Sequence, residues 1–239
     1  MPNDHPHPPE RNLADQVARR RAVASAGHTG DEATARGALG DLDASVRATA
    51  LRALARMGAV TVGDIASAAG DPVAAVRRAA ATVIARAPAP GGTANDDEAA
   101  AAVDGVLAVL LADDDATVTE VAAWATGEHL GRDTESGHPV RTPALVDTLA
   151  HLATDHDDAL CREAAVAALG AIGDQRGLPA ILRATHDKAT VRRRAVIALA
   201  PFDGPEVDQA LARAQEDRDW QVRQAAEDQL EITHGHETP

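Results

Sequence analysis

One short string recurs along the chain and constrains its fold more than any other feature. Val46-Arg47 with Ala50, Val76-Arg77 with Ala80, Val191-Arg192 with Ala195, and Val222-Arg223 with Ala226 share the pattern Val-Arg-x-x-Ala. Cys161-Arg162 with Ala165 substitutes Cys for Val, and Val118-Thr119 with Ala122 has lost the Arg. Counting the first residue of each string as position 0, position +4 is Ala in all six copies. Position +8 is Leu54, Ile84, Thr126, Leu169, Leu199 and Leu230. Positions 0, +4 and +8 fall on one face of an α-helix, so the pattern predicts a buried helical stripe repeated six times. A helix pair of about 30 residues cannot bury that stripe alone, and stacked neighbours can.

The anchors lie at 46, 76, 118, 161, 191 and 222, so the third copy is bordered by longer spacings than the others. The extra residues fall near 88–100 and 130–142, and both stretches read as surface insertions that could contact a partner. Six residues before the Arg position stand Asp41, Asp71, Asp113 and Asp217, with His156 and His186 in the remaining copies. A shorter first helix precedes each of these turns, and its start is often marked by proline, at Pro143, Pro179 and Pro205. Gly58, Gly173 and Gly204 are placed to end second helices. Residues 1–10 read as a disordered Pro-rich tail, 11–232 as the repeat array with a leading helix over 12–26, and 233–239 as a C-terminal tail.

This pattern resembles the HEAT-repeat family, in its short bacterial and archaeal subtype related to phycobilin lyases. The resemblance covers about residues 31–232. It implies an all-α, right-handed α-solenoid of about six helix pairs, with the second helices lining a concave face. An Asp in the turn and an Arg opening the second helix are the family's signature. Here they correspond to Asp41/Arg47, Asp71/Arg77 and Asp217/Arg223, with Arg162 and Arg192 in the repeats that carry His at the Asp position. These residues are expected to form a structural ladder between the turns of neighbouring repeats.

Composition narrows the function. The chain has 37 Asp+Glu against 23 Lys+Arg and a net charge of −14, a poor starting point for gripping phosphates, so nucleic acid is disfavoured. Three aromatic residues in 239 cannot build a base-stacking platform. The single Cys161 excludes an internal disulfide and sits at a core anchor, where it reads as a small hydrophobe. No signal-like start is present, and the most apolar run, Ala99 to Ala112, is short and interrupted by Asp104. A cytoplasmic protein without a membrane span is expected.

Charge is unevenly spread. Residues 11–87 carry 11 basic and 7 acidic groups, while residues 88–161 carry 2 and 15, an asymmetry through which two copies could also meet. On the second helices, positions +2, +6 and +10 should face outward. They hold Arg52, Arg56, Arg78, Thr82 and Arg86 in repeats one and two, and Glu120, Trp124 and Glu128 in repeat three. Arg and Trp dominate interface hot spots, so the seven charged and aromatic residues among them are the candidate partner-binding surface. Neither a catalytic constellation nor a phosphate-binding loop stands out, and neither metal nor cofactor is expected. Deoxyhypusine hydroxylases with HEAT-like repeats hold iron on paired His-Glu dipeptides, which this chain lacks apart from His236-Glu237 and a reversed Glu128-His129. The expected function is a non-enzymatic scaffold that binds another protein on the concave face. The alternative is an accessory subunit or divergent member of a lyase-like or hydroxylase-like modifying enzyme.

Overall fold

The six strings open six helices, each the second arm of an antiparallel pair. The computed structural model describes residues 8–87, 94–135, 140 and 142–235. The expected tails at 1–7 and 236–239, and the heart of each insertion, lie outside the described residues. The described residues contain helices and turns and no strand. They divide into two compact units, residues 1–87 and 88–239, at the first insertion.

The first unit begins with α1 (Pro8–Thr29), longer than the helix expected over 12–26. Then come α2 (Glu32–Gly37), a 3₁₀ turn at Ala38–Gly40, α3 (Ala44–Arg56), α4 (Val62–Ala69) and α5 (Ala74–Arg86). Helices α1, α3 and α5 lie side by side, with α2 and α4 packed against α3 and α5. Val23, Ala35, Val46, Ala50, Ala53 and Leu54 form the heart of this packing.

The second unit holds four pairs: α6 (Ala94–Leu111) with α7 (Ala116–Glu135), α8 (Pro143–Asp155) with α9 (Ala159–Ile172), α10 (Leu178–Ala184) with α11 (Ala189–Ala198), and α12 (Pro205–Gln215) with α13 (Trp220–Gly235). Helices α7, α9, α11 and α13 form one layer, and α6, α8, α10 and α12 the other. Part of each expected insertion is helical: α6 starts at 94, and α7 continues to 135.

The stripe is the core. All six anchors and all six +4 alanines are buried, as are Leu54, Ile84, Thr126, Leu169 and Leu199 at +8, while Leu230 is half-buried. Thr126 fits because its hydroxyl donates to the Ala122 carbonyl one turn back, at 2.8 Å, satisfying a polar group that would otherwise be costly to bury. Cys161 is buried, its thiol donates to the Ala116 carbonyl, and burial raises its pKa to about 11. Pro143 and Pro205 open α8 and α12, and Pro179 is the second residue of α10. Gly173 takes the left-handed cap of α9 at φ 68°. Gly204, expected to end a helix, instead precedes α12 as its N-cap residue.

A second contact holds adjacent second helices at backbone distance. A Cβ added to Gly27, Gly127 or Gly170 would lie 2.9, 2.8 or 2.7 Å from the Cα of Ala53, Ala168 or Ala198. In α7 and α9 the glycine is at position +9, and its facing alanine is at +7 of the next second helix. Glycine inside a helix costs about 0.5–1 kcal/mol against alanine. Here it lets two helices touch through their main chains, where any side chain would hold them apart.

Fourteen of the chain's 25 aspartates lie in the turns and caps between the described helices. Asp43, Asp115, Asp158 and Asp219 each accept a backbone N–H at the start of a second helix. Two residues earlier, Asp41, Asp113 and Asp217 accept the N–H of the capping Asp itself. In α9's turn the His156 imidazole takes that role for Asp158.

Candidate functional site

The arginines of the chain fall into two populations. Arg47, Arg162 and Arg192 each reach into the next repeat and donate two parallel hydrogen bonds, to Asp71, Asp187 and Asp217 respectively, at 2.6 to 2.8 Å. A third nitrogen of each donates to a carbonyl of its own turn. Arg77 and Arg223 make the same carbonyl contact, to Asp71 and Asp217. These arginines sit at +1, where the start of the second helix meets both turns, and the planar guanidinium fits the fork of a carboxylate. Arg19 on α1 holds Asp41 in the same way, so α1 acts as the second helix of a leading half-repeat. In the fifth repeat the acceptor is Asp187, one residue beyond the His186 of the sequence alignment.

The arginine hydrogen bonds hold Asp71, Asp187 and Asp217 below the ordinary value of 3.8, against the opposing effect of burial. Asp41 is lowered first by the Asp43 backbone N–H and then by Arg19.

Arg52, Arg56, Arg78 and Arg86 form the other population. All four are exposed on α3 and α5, and among the described residues none pairs with a carboxylate. The Arg52 pKa is pushed down by partial desolvation and then by the positive charges of Arg78 and Arg86. Three guanidinium groups thus share one repelling field on one face of the first unit.

Glu120, Trp124 and Glu128 belong to the second unit, so the seven candidate partner-binding residues are divided between the two units. Trp124 is 40% exposed, and its indole N–H donates to Glu128 at 3.2 Å. Glu128 is exposed and Glu120 half-buried. They wall a groove of about 380 Å³ between α7 and α9, whose floor is Ala164, Ala167 and Ala171. Leu160 and Glu163 of α9 complete the rim, and Arg194 of α11 reaches Glu163 at 3.5 Å. Glu163 occupies position +2, so the outward rule that selected Glu120 could have found it. The groove itself depends on the alanines of α9, which carry no sign of function in sequence.

A buried polar clasp also escaped the sequence reading. Asp104, which interrupts the apolar run of α6, lies 2.8 Å from His129 Nε2 on α7, and both are buried. Thr142, just before α8, donates its hydroxyl to the other Asp104 oxygen rather than capping its own helix. His129 and Glu128 are therefore engaged with Asp104 and Trp124. Among the described residues no group of three His, Cys, Asp or Glu is arranged to hold a metal ion, and no helix is long and apolar enough to cross a membrane.

No curated protein matches the chain in sequence. Among solved structures, YibA of Escherichia coli is similar at 18% identity and a TM-score of 0.62, over 97% of this chain and 78% of that one. An engineered protein matches at 20% identity and TM-score 0.58, over 86% and 97%. A designed armadillo repeat protein solved in complex with the peptide (KR)4 matches at 18% and 0.56, over 82% and 96%. At such identities the likeness is one of fold, that of helical-repeat solenoids. The family model for HEAT repeats matches residues 103–200 and 146–231, together more than half of the chain. With the repeated stripe and the Asp/Arg ladder on the same residues, the chain belongs to the HEAT-repeat family.

Proposed function

We propose that this HEAT-repeat chain is a non-enzymatic binding module, and that Arg52, Arg56, Arg78 and Arg86 capture an acidic segment of a partner protein. The observation that carries this reading is the contrast between the two arginine populations. In a chain with 37 carboxylates, Arg47, Arg162 and Arg192 are held by bidentate pairs, while among the described residues these four have no carboxylate partner. Clustering them costs repulsion within the free protein, and a bound carboxylate relieves it. They project from neighbouring helices, so an extended segment crossing α3 and α5 meets them in succession. Repeat solenoids supply such faces as a scaffold type, and the designed armadillo protein holds a peptide on the same kind of stack.

The test is fluorescence anisotropy of a labelled (Glu-Ala)4 peptide on the full chain. Saturable binding is expected, weakened at least ten-fold by Arg52→Glu with Arg78→Glu, with the melting temperature unchanged. Equal binding by the double variant discards the arginine face.

A further inference from the structure

The groove between α7 and α9 is chemically the reverse of the arginine face. Its floor is alanine, its wall is a half-exposed Trp124, and its rim carries Glu120, Glu128 and Glu163. We propose that this groove seats an arginine side chain from an extended, cationic segment of a partner protein. This goes beyond the acidic-segment reading, since it concerns another unit and the opposite charge.

Three observations select that occupant. The first is size. A hollow of about 380 Å³ holds one long side chain with part of its flanking backbone. It exists because α9 places alanine at +6 and +10, Ala167 and Ala171, where other second helices carry Trp124, Arg52, Arg56 or Ile197. The second is its apolar interior. The described residues leave Trp124 40% exposed, although a large aromatic ring gains much from burial. An aliphatic stem laid on the alanines and the indole would remove that surface from water.

The third is charge. Of the three rim carboxylates, Glu128 holds the indole N–H and Glu163 is met by Arg194 at a long 3.5 Å. Glu120 has no basic partner among the described residues. A guanidinium entering the groove meets these acids and the ring together, combining charge-assisted hydrogen bonds with cation–π attraction. Arginine fits better than lysine, because its flat head stacks and forks while an ammonium stays strongly hydrated. Arg194 already brings one guanidinium to this rim from α11.

The protein supplies its own reporter. It has two tryptophans, and Trp220 is 63% exposed at the start of α13, so Trp220→Phe leaves Trp124 as the single indole with the core untouched. The experiment titrates this variant with acetylated, amidated (Arg-Ala)4, (Lys-Ala)4 and (Glu-Ala)4, following Trp124 emission, with light scattering to record mass. The expected result is a saturable emission shift with (Arg-Ala)4, at least three-fold weaker binding of (Lys-Ala)4 and no shift with (Glu-Ala)4. Glu120→Gln with Glu128→Gln should weaken (Arg-Ala)4 at least ten-fold while the circular-dichroism melt is retained. Labelled (Arg-Ala)4 on the unsubstituted chain repeats the measurement by anisotropy should Trp220→Phe fold poorly.

Absence of an (Arg-Ala)4 response, an equal response to (Glu-Ala)4, or undiminished binding by the double Gln variant overturns the proposal. So does a peptide-free dimer dispersed by Arg52→Glu with Arg78→Glu, which would make a second copy the occupant. The arginine face is judged separately, by (Glu-Ala)4 anisotropy, so either reading can fail alone.

Discussion

On α3 and α5 the outward positions hold Arg52, Arg56, Arg78 and Arg86, and on α7 and α9 they hold Glu120, Trp124, Glu128, Glu163, Ala167 and Ala171. Beneath these opposite surfaces both units use the same joints. Each buries an aliphatic stripe, each closes its turns with bidentate Arg–Asp pairs, and each has a glycine pressed on an alanine backbone. The comparison shows that, in this chain, stacking chemistry and surface chemistry are set by different positions of the same helix.

The most severe way to break that comparison is to empty the shared core. Leu54→Ala in the first unit and Leu169→Ala in the second remove fully buried side chains from equivalent positions, and each should cost roughly 2–5 kcal/mol in urea unfolding. Because repeats contact only their neighbours, hydrogen exchange should quicken most in the unit that carries the substitution. A change below 1 kcal/mol at either site would mean that the two +8 positions are not equivalent.

The ladder comes next. Arg47→Ala and Arg162→Ala each leave a half-buried aspartate without its charged donor, and each should cost roughly 1.5–3 kcal/mol by thermal melting. The pH dependence has a definite sign. Asp71, Asp187 and Asp217 have folded pKa values below 3.8, so their contribution is full above about pH 4 and is lost as pH falls through the lowered values. Arg162→Ala should flatten the acid limb of the stability curve, and an unchanged limb would remove Asp187 from the account.

A slightly smaller loss, about 1–3 kcal/mol, is expected when Gly127 becomes Val, because the new side chain meets the main chain of Ala168. Gly105, at a spacious position on α6, should accept Ala without loss, which separates the seam from helix propensity alone. Smallest of all is Arg52→Glu with Arg78→Glu. Both residues are exposed and have no carboxylate partner among the described residues, so stability should move by no more than about 0.5 kcal/mol. A large loss would show that the arginine face is part of the scaffold.

The repeat stripe was legible because it obeys one helical period and recurs six times. Features that depend on meetings between repeats were not. The shift of the fifth ladder contact to Asp187 needs the actual path of its turn, and Arg19 lies in a helix with no string to flag it. Asp104 looked like a flaw in an apolar run because its partners, His129 and Thr142, are 25 and 38 residues away. Gly27, Gly127 and Gly170 carry no mark of the seam in sequence, because the alanine each one faces lies on another helix. Of the seven candidate binding residues six are exposed and Glu120 is half-buried, while Ala48, at +2 of α3, is buried, and the outward rule cannot show that the floor beside Trp124 is alanine.

The seam and the stripe occupy positions 0, +4, +7, +8 and +9 of a second helix, and the faces proposed to bind partners draw on +2, +6 and +10, with the buried Ala48 of α3 as an exception. The two sets interleave along the same few turns without sharing a residue. A repeat of this kind can change what it recognises, one outward side chain at a time, while its neighbours continue to fit against it.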